Sequence, residues 1–415
     1  MRFTCHQRGS GRGYAGFMKT TVAAIDFGTS KIVTLIADHS NVTRCDIQGA
    51  GIAPYDGFLK DGWNNPGELN DQILASIRDA EKQCRRTVRN LNVGVPGLFT
   101  KVYATEARVR LKGTNPNVTG GDIKAIFKEA EENLHLEASS GVIIHSSPAW
   151  FMVDNGKKTL EPVGLKGQEL SALISFEVAD RFFVDEVNNR LISMGYQVEG
   201  FYSTVAGEAM LCLPEEDRDR TSVLIDIGYL TTDVMAVEGD ALMYLGTVEM
   251  GGGNIAADLA MGLDISLREA EEKIKRQYVY SIDVPGETFE LPGVDGQKAR
   301  SFTRQEVTDI ITPRVDEIAE EIQKLLEDSG IRLGNWSNIY LTGGGLSFNR
   351  GGKDYLATRL GRPVRDISKR TTTLNSHAYS SALGLMDLII STMEQTQQQP
   401  ASGGPVGFIR GLLGL

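Results

Sequence analysis

Apolar positions along this chain alternate between short blocks of strand length and longer stretches of helical spacing. The block Val22 to Ile25, the polar group Asp26-Phe27-Gly28-Thr29-Ser30 and the apolar run that follows to Asp38 predict a hairpin with a polar turn. Ser222 to Asn254 repeats the pattern: apolar Val223 to Ile225, then Asp226 and Gly228, a β-rich run through Val237, and a turn at Glu238-Gly239-Asp240. Leu69, Ile73, Ile77, Ala80 and Cys84 fall at helical spacing and predict a helix over Glu68 to Val88, with a buried strand at Asn92 to Pro96. From Phe99 to Gln168 the texture changes to a strand over Val102 to Leu111, a helix over Asp122 to Leu136 and β segments from Gly141 to Val153, which read as a small α+β unit. A strand at Leu170 to Val178, helices at Asp180 to Met194 and Gly207 to Leu213, and a charged linker at Pro214 to Arg220 complete the first half. Beyond the second hairpin, helices are expected at Ile255 to Met261, Leu267 to Gln277 and Thr312 to Ser329, and a strand at Asn338 to Leu341.

The two strand–Asp-x-Gly–turn–strand units, about half a chain apart, point to a duplicated fold whose hairpins face each other across a cleft. In each, an acid stands where a strand ends and a glycine lets backbone amides turn inward. Thr29 and Ser30 in the first copy, and Thr231, Thr232 and Asp233 in the second, add hydroxyls and a second carboxylate. Such a turn can cradle phosphate and hold a hydrated divalent cation. Gly251-Gly252-Gly253-Asn254 opens a helix, where backbone amides attract a phosphate or ribose oxygen or simply form a tight turn. Gly343-Gly344-Gly345 follows an apolar strand and allows close approach of a flat base or sugar. Gly351-Gly352-Lys353 only imitates a phosphate loop, because Asp354 follows the lysine and no glycine stands five residues before Gly352.

A chain of 415 residues exceeds one hydrophobic core, so two lobes are expected. The net charge of −11 and the absence of a basic run interleaved with aromatics argue against nucleic-acid binding. Cys5, Cys45, Cys84 and Cys212 are scattered, and His135 and His145 have no acid or thiol at ligand spacing, so a zinc site is not expected and a reduced cytoplasmic setting fits. No run of 18 or more apolar residues occurs, so no spanning helix is expected. Residues 1–19 carry four cations, no acid and four glycines and read as a disordered extension; Met18 is a second candidate start beside Met1.

The order DFGTSK, DIG-x-x-TTD and LTGGG resembles the phosphate-1, phosphate-2 and adenosine motifs of the actin/Hsp70/hexokinase superfamily. Within it the chain, over residues 20 to about 390, is similar to the FtsA family of bacterial actin-like cell-division proteins. The softer features behind that likeness are the inserted subdomain, Val163-Gly164-Leu165-Lys166-Gly167 at its end, and a polar linker before a short apolar tail. The resemblance implies an α/β, actin-like two-lobed fold with duplicated RNase H-like domains. Its expected parts are lobe 1 at 20–98 and 169–219 with a closing helix at 376–393, an inserted subdomain at 99–168, and lobe 2 at 220–375 with a small subdomain near 255–315. It further implies ATP with Mg2+ as cofactors. Asp26 and Asp226 would act on the metal through water, and Gly28, Thr29, Ser30 and Lys31 would hold the β- and γ-phosphates. Gly228, Thr231, Thr232 and Asp233 would face them, Gly252 and Asn254 would lie by the ribose, Glu272, Lys275 and Arg276 would line the nucleoside, and Gly343, Gly344 and Gly345 would close over adenine. Tyr229 and Leu230 stand where relatives usually have glycines, which implies slow or absent hydrolysis. No general base is identified.

The implied partners are FtsZ, further copies of this chain, other division proteins and membrane lipid, with no nucleic acid; the implied location is the cytoplasmic face of the membrane at the division septum. The alternatives are another ATPase or kinase of the superfamily, or a filament or pilus-assembly scaffold. Glu394 to Gly404 reads as a flexible linker, and Pro405 to Leu415 as an amphipathic membrane-targeting tail. On a helix Phe408, Ile409, Leu412, Leu413 and Leu415 fall mostly on one side, and Arg410 is the tail's one basic residue. Docking of the same leucines into a groove of their own domain, or onto a partner, is the competing reading.

Overall fold

The first apolar blocks pair as their alternation requires. A computed structural model describes residues 20–40, 44–114, 116–136, 141–280, 286–293, 299–334, 337–367 and 377–397, the last three of these by backbone alone. Strand β1 (Thr20–Phe27) runs antiparallel to β2 (Lys31–His39), and β2 antiparallel to β3 (Asp46–Pro54). After the two-residue strands β4 (Phe58–Leu59) and β5 (Gly62–Trp63), helix α1 (Leu69–Cys84) buries Leu69, Ile73, Ile77 and Ala80. It stops four residues short of the expected Val88 because Arg85 adopts a left-handed conformation, φ 56°, and caps the last turn.

Strand β6 (Asn90–Val95), buried at every residue after its first, joins β1 in parallel. Then come β7 (Thr100–Arg110), α2 (Gly120–Asn133), β8 (Val142–Val153) and β9 (Glu169–Ala179), which form a separate antiparallel sheet ordered β7-β9-β8. A core of Ile126, Phe127, Phe151, Leu170 and Ile174 joins that sheet to α2. Helix α3 (Arg181–Ser193) leads to β10 (Gln197–Ser203), which pairs in parallel with β6, so the first five-stranded sheet reads β10-β6-β1-β2-β3. Helix α4 (Thr204–Cys212) follows. The segment expected as a charged linker contains a short helix, α5 (Glu215–Arg218), and Arg218 bonds the Gly239 carbonyl and Asp240.

The second half builds a sheet from β11 (Ser222–Ile227), β12 (Thr232–Glu238), β13 (Ala241–Val248) and two strands further along the chain. Between them lie α6 (Gly252–Leu263), α7 (Leu267–Glu269), the hairpin β14 (Thr288–Leu291) with β15 (Arg300–Thr303), and α8 (Arg304–Asp328). Strand β16 (Ile339–Thr342), α9 (Gly352–Leu360) and β17 (Val364–Asp366) precede the last helix, α10 (Ser380–Gln397). The order is β13-β12-β11-β16-β17, with β11, β16 and β17 parallel. Written from the other edge the first sheet is β3-β2-β1-β6-β10. Both run third-second-first-fourth-fifth, the duplication that the paired turns foretold. Two compact units result: Met1–Thr221, Met235–Leu245 and Ser381–Leu415, so far as these are described, and Ser222–Val234 with Gly246–Ser380.

Three further expectations need correction. Helix α8 begins at Arg304 rather than Thr312, because Thr303 and Glu306 form a reciprocal capping box and Pro313 lies inside the helix. The helix expected over Leu267 to Gln277 is one α turn, one wide turn over Ala270–Ile274 and one tight turn over Lys275–Gln277. Glu394, expected to open a linker, lies instead within α10, which continues to Gln397, and is paired with Arg44. Residues 1–19, with Met18 and Cys5, and the tail residues Phe408, Ile409, Leu412, Leu413 and Leu415 lie outside the described residues.

Candidate nucleotide site

In the first unit Asp26 is the second-last residue of β1, and the turn from Gly28 to Lys31 is closed by the Gly28 amide donating to the Lys31 carbonyl at 2.9 Å. Asp26 and Thr29 are buried, while Ser30 and Lys31 are half-buried. The Tyr55 amide donates to the Ser30 carbonyl at 3.1 Å and ties the turn to the end of β3. Ser381, in the first turn of α10, donates its hydroxyl to Asp26 Oδ2 at 3.0 Å. Burial pushes the Asp26 carboxyl up to about 6, against the Ser381 hydrogen bond and the Lys31 charge, which favour the ionised form. A divalent cation nearby would favour ionisation more strongly than either. No group of three His, Cys, Asp or Glu side chains able to hold a metal occurs among the described residues. A buried carboxylate at Asp26 beside the Thr29 and Ser30 hydroxyls is an oxygen donor set that would fit Mg2+ held through water and phosphate oxygens.

In the second unit the equivalent turn is closed by the same bond, the Gly228 amide donating to the Thr231 carbonyl at 2.9 Å. Two glycine segments converge on it. The Gly252 and Gly253 amides donate to the Gly228 and Tyr229 carbonyls at 2.9 and 2.7 Å, the Gly251 amide to Asn254 Oδ1 at 2.9 Å, and the Gly345 amide to the Ile227 carbonyl at 2.7 Å. At the glycine-rich helix start the Gly252 and Gly253 amides serve the protein's own carbonyls, and Asn254 is a cap. Gly343 has φ 88°, and a Cβ built on it would stand 2.0 Å from Asp226 Oδ1, so only glycine lets the loop after β16 pass the carboxylate.

The remaining expected residues divide. The Thr232 hydroxyl, fully buried, donates to the Met250 carbonyl at 2.8 Å. Asp233 accepts from the Thr247 hydroxyl at 2.5 Å, and burial pushes its carboxyl up to about 6. Thr231 is half-buried at the turn. Lys275 is buried, and its Nζ lies 2.7 Å from where a Gly252 side chain would start and 2.9 Å from a Glu271 oxygen. Burial pulls its pKa down, against the Glu271 charge. Glu272 instead pairs with Arg268 at 3.2 Å on the surface, and Arg276 is exposed. The second unit thus gathers Asp226, Gly228, Gly252, Asn254, Lys275 and Gly343 to Gly345, and leaves Glu272 and Arg276 in solvent. Sequence reasoning missed Glu271, although its i,i+4 spacing to Lys275 was a signal. It also missed Ser381 and Asn349; Asn349 bonds the Lys275 and Tyr278 carbonyls.

The chain is similar in sequence and in fold to known proteins. A family model described as cell division protein FtsA matches residues 223–384. The FtsA of Pseudomonas aeruginosa is 24% identical over 374 residues, 88% of each chain, and that of Escherichia coli K12 is 22% identical over 379 residues, 88% of this chain and 89% of that one. Among solved structures, a type IV pilus biogenesis complex of PilM and PilN matches with a TM-score of 0.58 at 18% identity, over 89% of this chain and 98% of that one. MreB5 of Spiroplasma citri bound to AMPPNP matches with a TM-score of 0.55 at 10% identity, over 91% and 98%. At such identities the structures speak for the fold alone, and that fold is actin-like.

Proposed function

From an actin-like chain related to the FtsA cell-division proteins, we propose an ATP-binding, self-associating adaptor that anchors FtsZ filaments to the cytoplasmic face of the membrane at the division septum. The observation that carries the nucleotide part is the Asp-x-Gly turn built twice, each copy closed by one 2.9 Å backbone bond and each with its aspartate at the end of a strand. In this reading Mg2+ neutralises phosphate charge. Asp26 and Asp226 orient its water shell, the Thr29 and Ser30 hydroxyls and the amides of Thr29 to Lys31 take the phosphates, Gly228 and Thr231 to Asp233 shape the second copy of the turn, and Lys275 with Gly343 to Gly345 borders the nucleoside. Tyr229 and Leu230 replace the glycines that would let the second turn adapt, so turnover is slow or absent.

Calorimetry tests the site. Asp26→Ala and Asp226→Ala are each expected to weaken Mg-ATP binding roughly 10- to 100-fold, the range for loss of groups that orient a metal's ligands. Unchanged affinity in both variants would remove the site. Because Asp26 must be ionised to hold the water shell and its carboxyl lies near 6, affinity is expected to fall about tenfold between pH 7.5 and pH 5. Asp26→Asn should flatten that component.

The membrane part rests on the sequence of the last eleven residues and on kinship with a division protein. No helix among the described residues is long and apolar enough to cross a membrane. Deleting Pro405 to Leu415 is expected to release the protein from anionic liposomes in sedimentation, and Leu412→Asp with Leu413→Asp to do the same while leaving ATP binding intact. Full retention by the truncated chain would move the anchor elsewhere.

A further inference from the structure

Helix α1 ends in a line of exposed cations. Arg78, Lys82 and Arg85 stand at i, i+4 and i+7, one above the other on a single face, and Arg89 continues the line between the helix and β6. All four are exposed, and none has a carboxylate within ion-pair distance among the described residues. The acids of the same stretch are engaged elsewhere: Asp79 accepts from the Gln83 side chain at 3.3 Å, and Glu81 from the Val88 amide at 2.7 Å. Arg86 belongs to the fold, since its guanidinium donates to both oxygens of the buried Asp38, at 2.5 and 3.2 Å. Burial and then the Glu81 charge raise the pKa of the Tyr196 phenol, and Arg78 and Arg89 act against them, so both guanidiniums stand near that ring. The Gln197 amide on the Arg89 carbonyl, at 2.8 Å, and the Gly195 amide on the Ile192 carbonyl, at 2.9 Å, bring the exposed Ile192 of α3 to the same corner. The negative end of the helix dipole accounts for Lys82 and Arg85, but its influence ends within one turn and reaches neither Arg78 nor Arg89. In a chain of net charge −11 this line is an exception, and its chemistry suits an anionic surface.

The line lies at the end of the first sheet where the chain enters and leaves the unit. Residues 1–19, with four cations and no acid, lead into β1 at Thr20, whose partner in β2 is His39. His39 Nδ1 lies 3.9 Å from Oε1 of Glu394, in the last turn of α10, and the neighbouring Asp38 is the residue that Arg86 holds. The end of α1, the start of β1 and the end of α10 are thus joined through two consecutive residues. Residues 398–404 give the apolar tail a reach of up to about 23 Å from Gln397, so tail and line can meet one flat surface. The tail itself brings one cation, Arg410. We propose that Arg78, Lys82, Arg85 and Arg89 bind the phosphate headgroups of anionic lipid and form a second contact with the membrane beside the apolar tail. The proposal rests on the membrane reading above and adds to it the groups that select lipid charge. Each cation close to an anionic bilayer contributes about fivefold in affinity, until salt screens it.

The test is sedimentation of the full chain with phosphatidylcholine vesicles, with and without phosphatidylglycerol. The variant that combines Arg78→Gln, Lys82→Gln, Arg85→Gln and Arg89→Gln is expected to bind the anionic vesicles at least about tenfold more weakly and the neutral ones unchanged. Exchanging the three arginines for lysine keeps the charge and should keep the affinity. Because all four side chains are exposed, thermal melting of the glutamine variant should match that of the unaltered protein. Equal affinity of the glutamine variant and the unaltered protein for anionic vesicles would overturn the proposal and leave the tail as the anchor. Equal loss on both kinds of vesicle would overturn it as well, because the line would then act on the fold or the tail and not on lipid charge. Failure of the unaltered chain to bind either kind would remove the membrane reading together with the proposal.

Discussion

Gly343→Ala is expected to destabilise the second unit by about 3–5 kcal/mol, the sum of a left-handed conformation forced on alanine and an overlap that needs backbone movement. The added methyl would stand 2.0 Å from Asp226 Oδ1, the tip of a short side chain, and 2.3 Å from the Ile227 carbonyl oxygen, which is backbone and cannot swing away. Relief would push Asp226 out of the turn or tear the loop from β11, so stability and nucleotide binding should fall together. Urea denaturation read at equilibrium would show a lower midpoint with an unchanged slope. Gly344→Ala is the control: its nearest neighbours, at 3.3 and 3.4 Å, need give by only a few tenths of an ångström and its φ is not left-handed, so a cost below about 1 kcal/mol is expected. Similar midpoints for the two variants would contradict the account of Gly343.

Glu177→Gln is expected to stabilise the first unit at neutral pH, by about 1–3 kcal/mol, the range for a buried polar group without adequate partners. Glu177 on β9 is fully buried, and neither carboxylate oxygen has a hydrogen bond of ordinary geometry. Burial raises its pKa; the charge of His145, its cross-strand neighbour on β8, and the nearby Ser203 hydroxyl act in the opposite direction. A carboxyl with a raised folded-state pKa binds its proton more tightly when folded, so the native state holds more protons than the unfolded one. Stability is then greatest at low pH, falls as pH climbs from the unfolded pKa toward the folded one, and stays reduced above it. Glutamine removes that slope. Melting temperatures recorded from pH 4.5 to pH 8 should diverge between the two proteins as pH rises; parallel curves would show that Glu177 is charged and adequately paired throughout.

What could be read from the sequence was local. The paired Asp-x-Gly turns were visible because strand, acid, glycine and strand lie within about fifteen residues, and short-range alternation fixes such a hairpin. The start of α8 was misplaced by the nine residues that separate Thr303 from Thr312: the capping box Thr303–Glu306 sets it, and Pro313 is accommodated inside the helix. Lys275 was found while its partner was not: Glu271 to Lys275 and Arg268 to Glu272 both stand at i,i+4, so spacing alone did not say which acid lies beside the buried lysine and which faces solvent. Ser381 reaches Asp26 across 355 positions, a pairing that exists only after the sheet and α10 have met.

Helix α10 also governs when the first unit can become complete. Its Gly384 lies against Gly207 of α4, where a methyl on either glycine would fall within 2.5 Å of the opposing backbone, and Leu385 reaches Gly94 of β6. The residues that cover β6 and α4 are therefore synthesised after every strand of both sheets. A nascent chain that ends before Ser380 has every strand of the first sheet yet leaves bare the surface that Leu385, Ile389 and Ile390 bury. During synthesis the molecule passes through a stage that exposes apolar surface and invites capture by chaperones or by other unfinished chains.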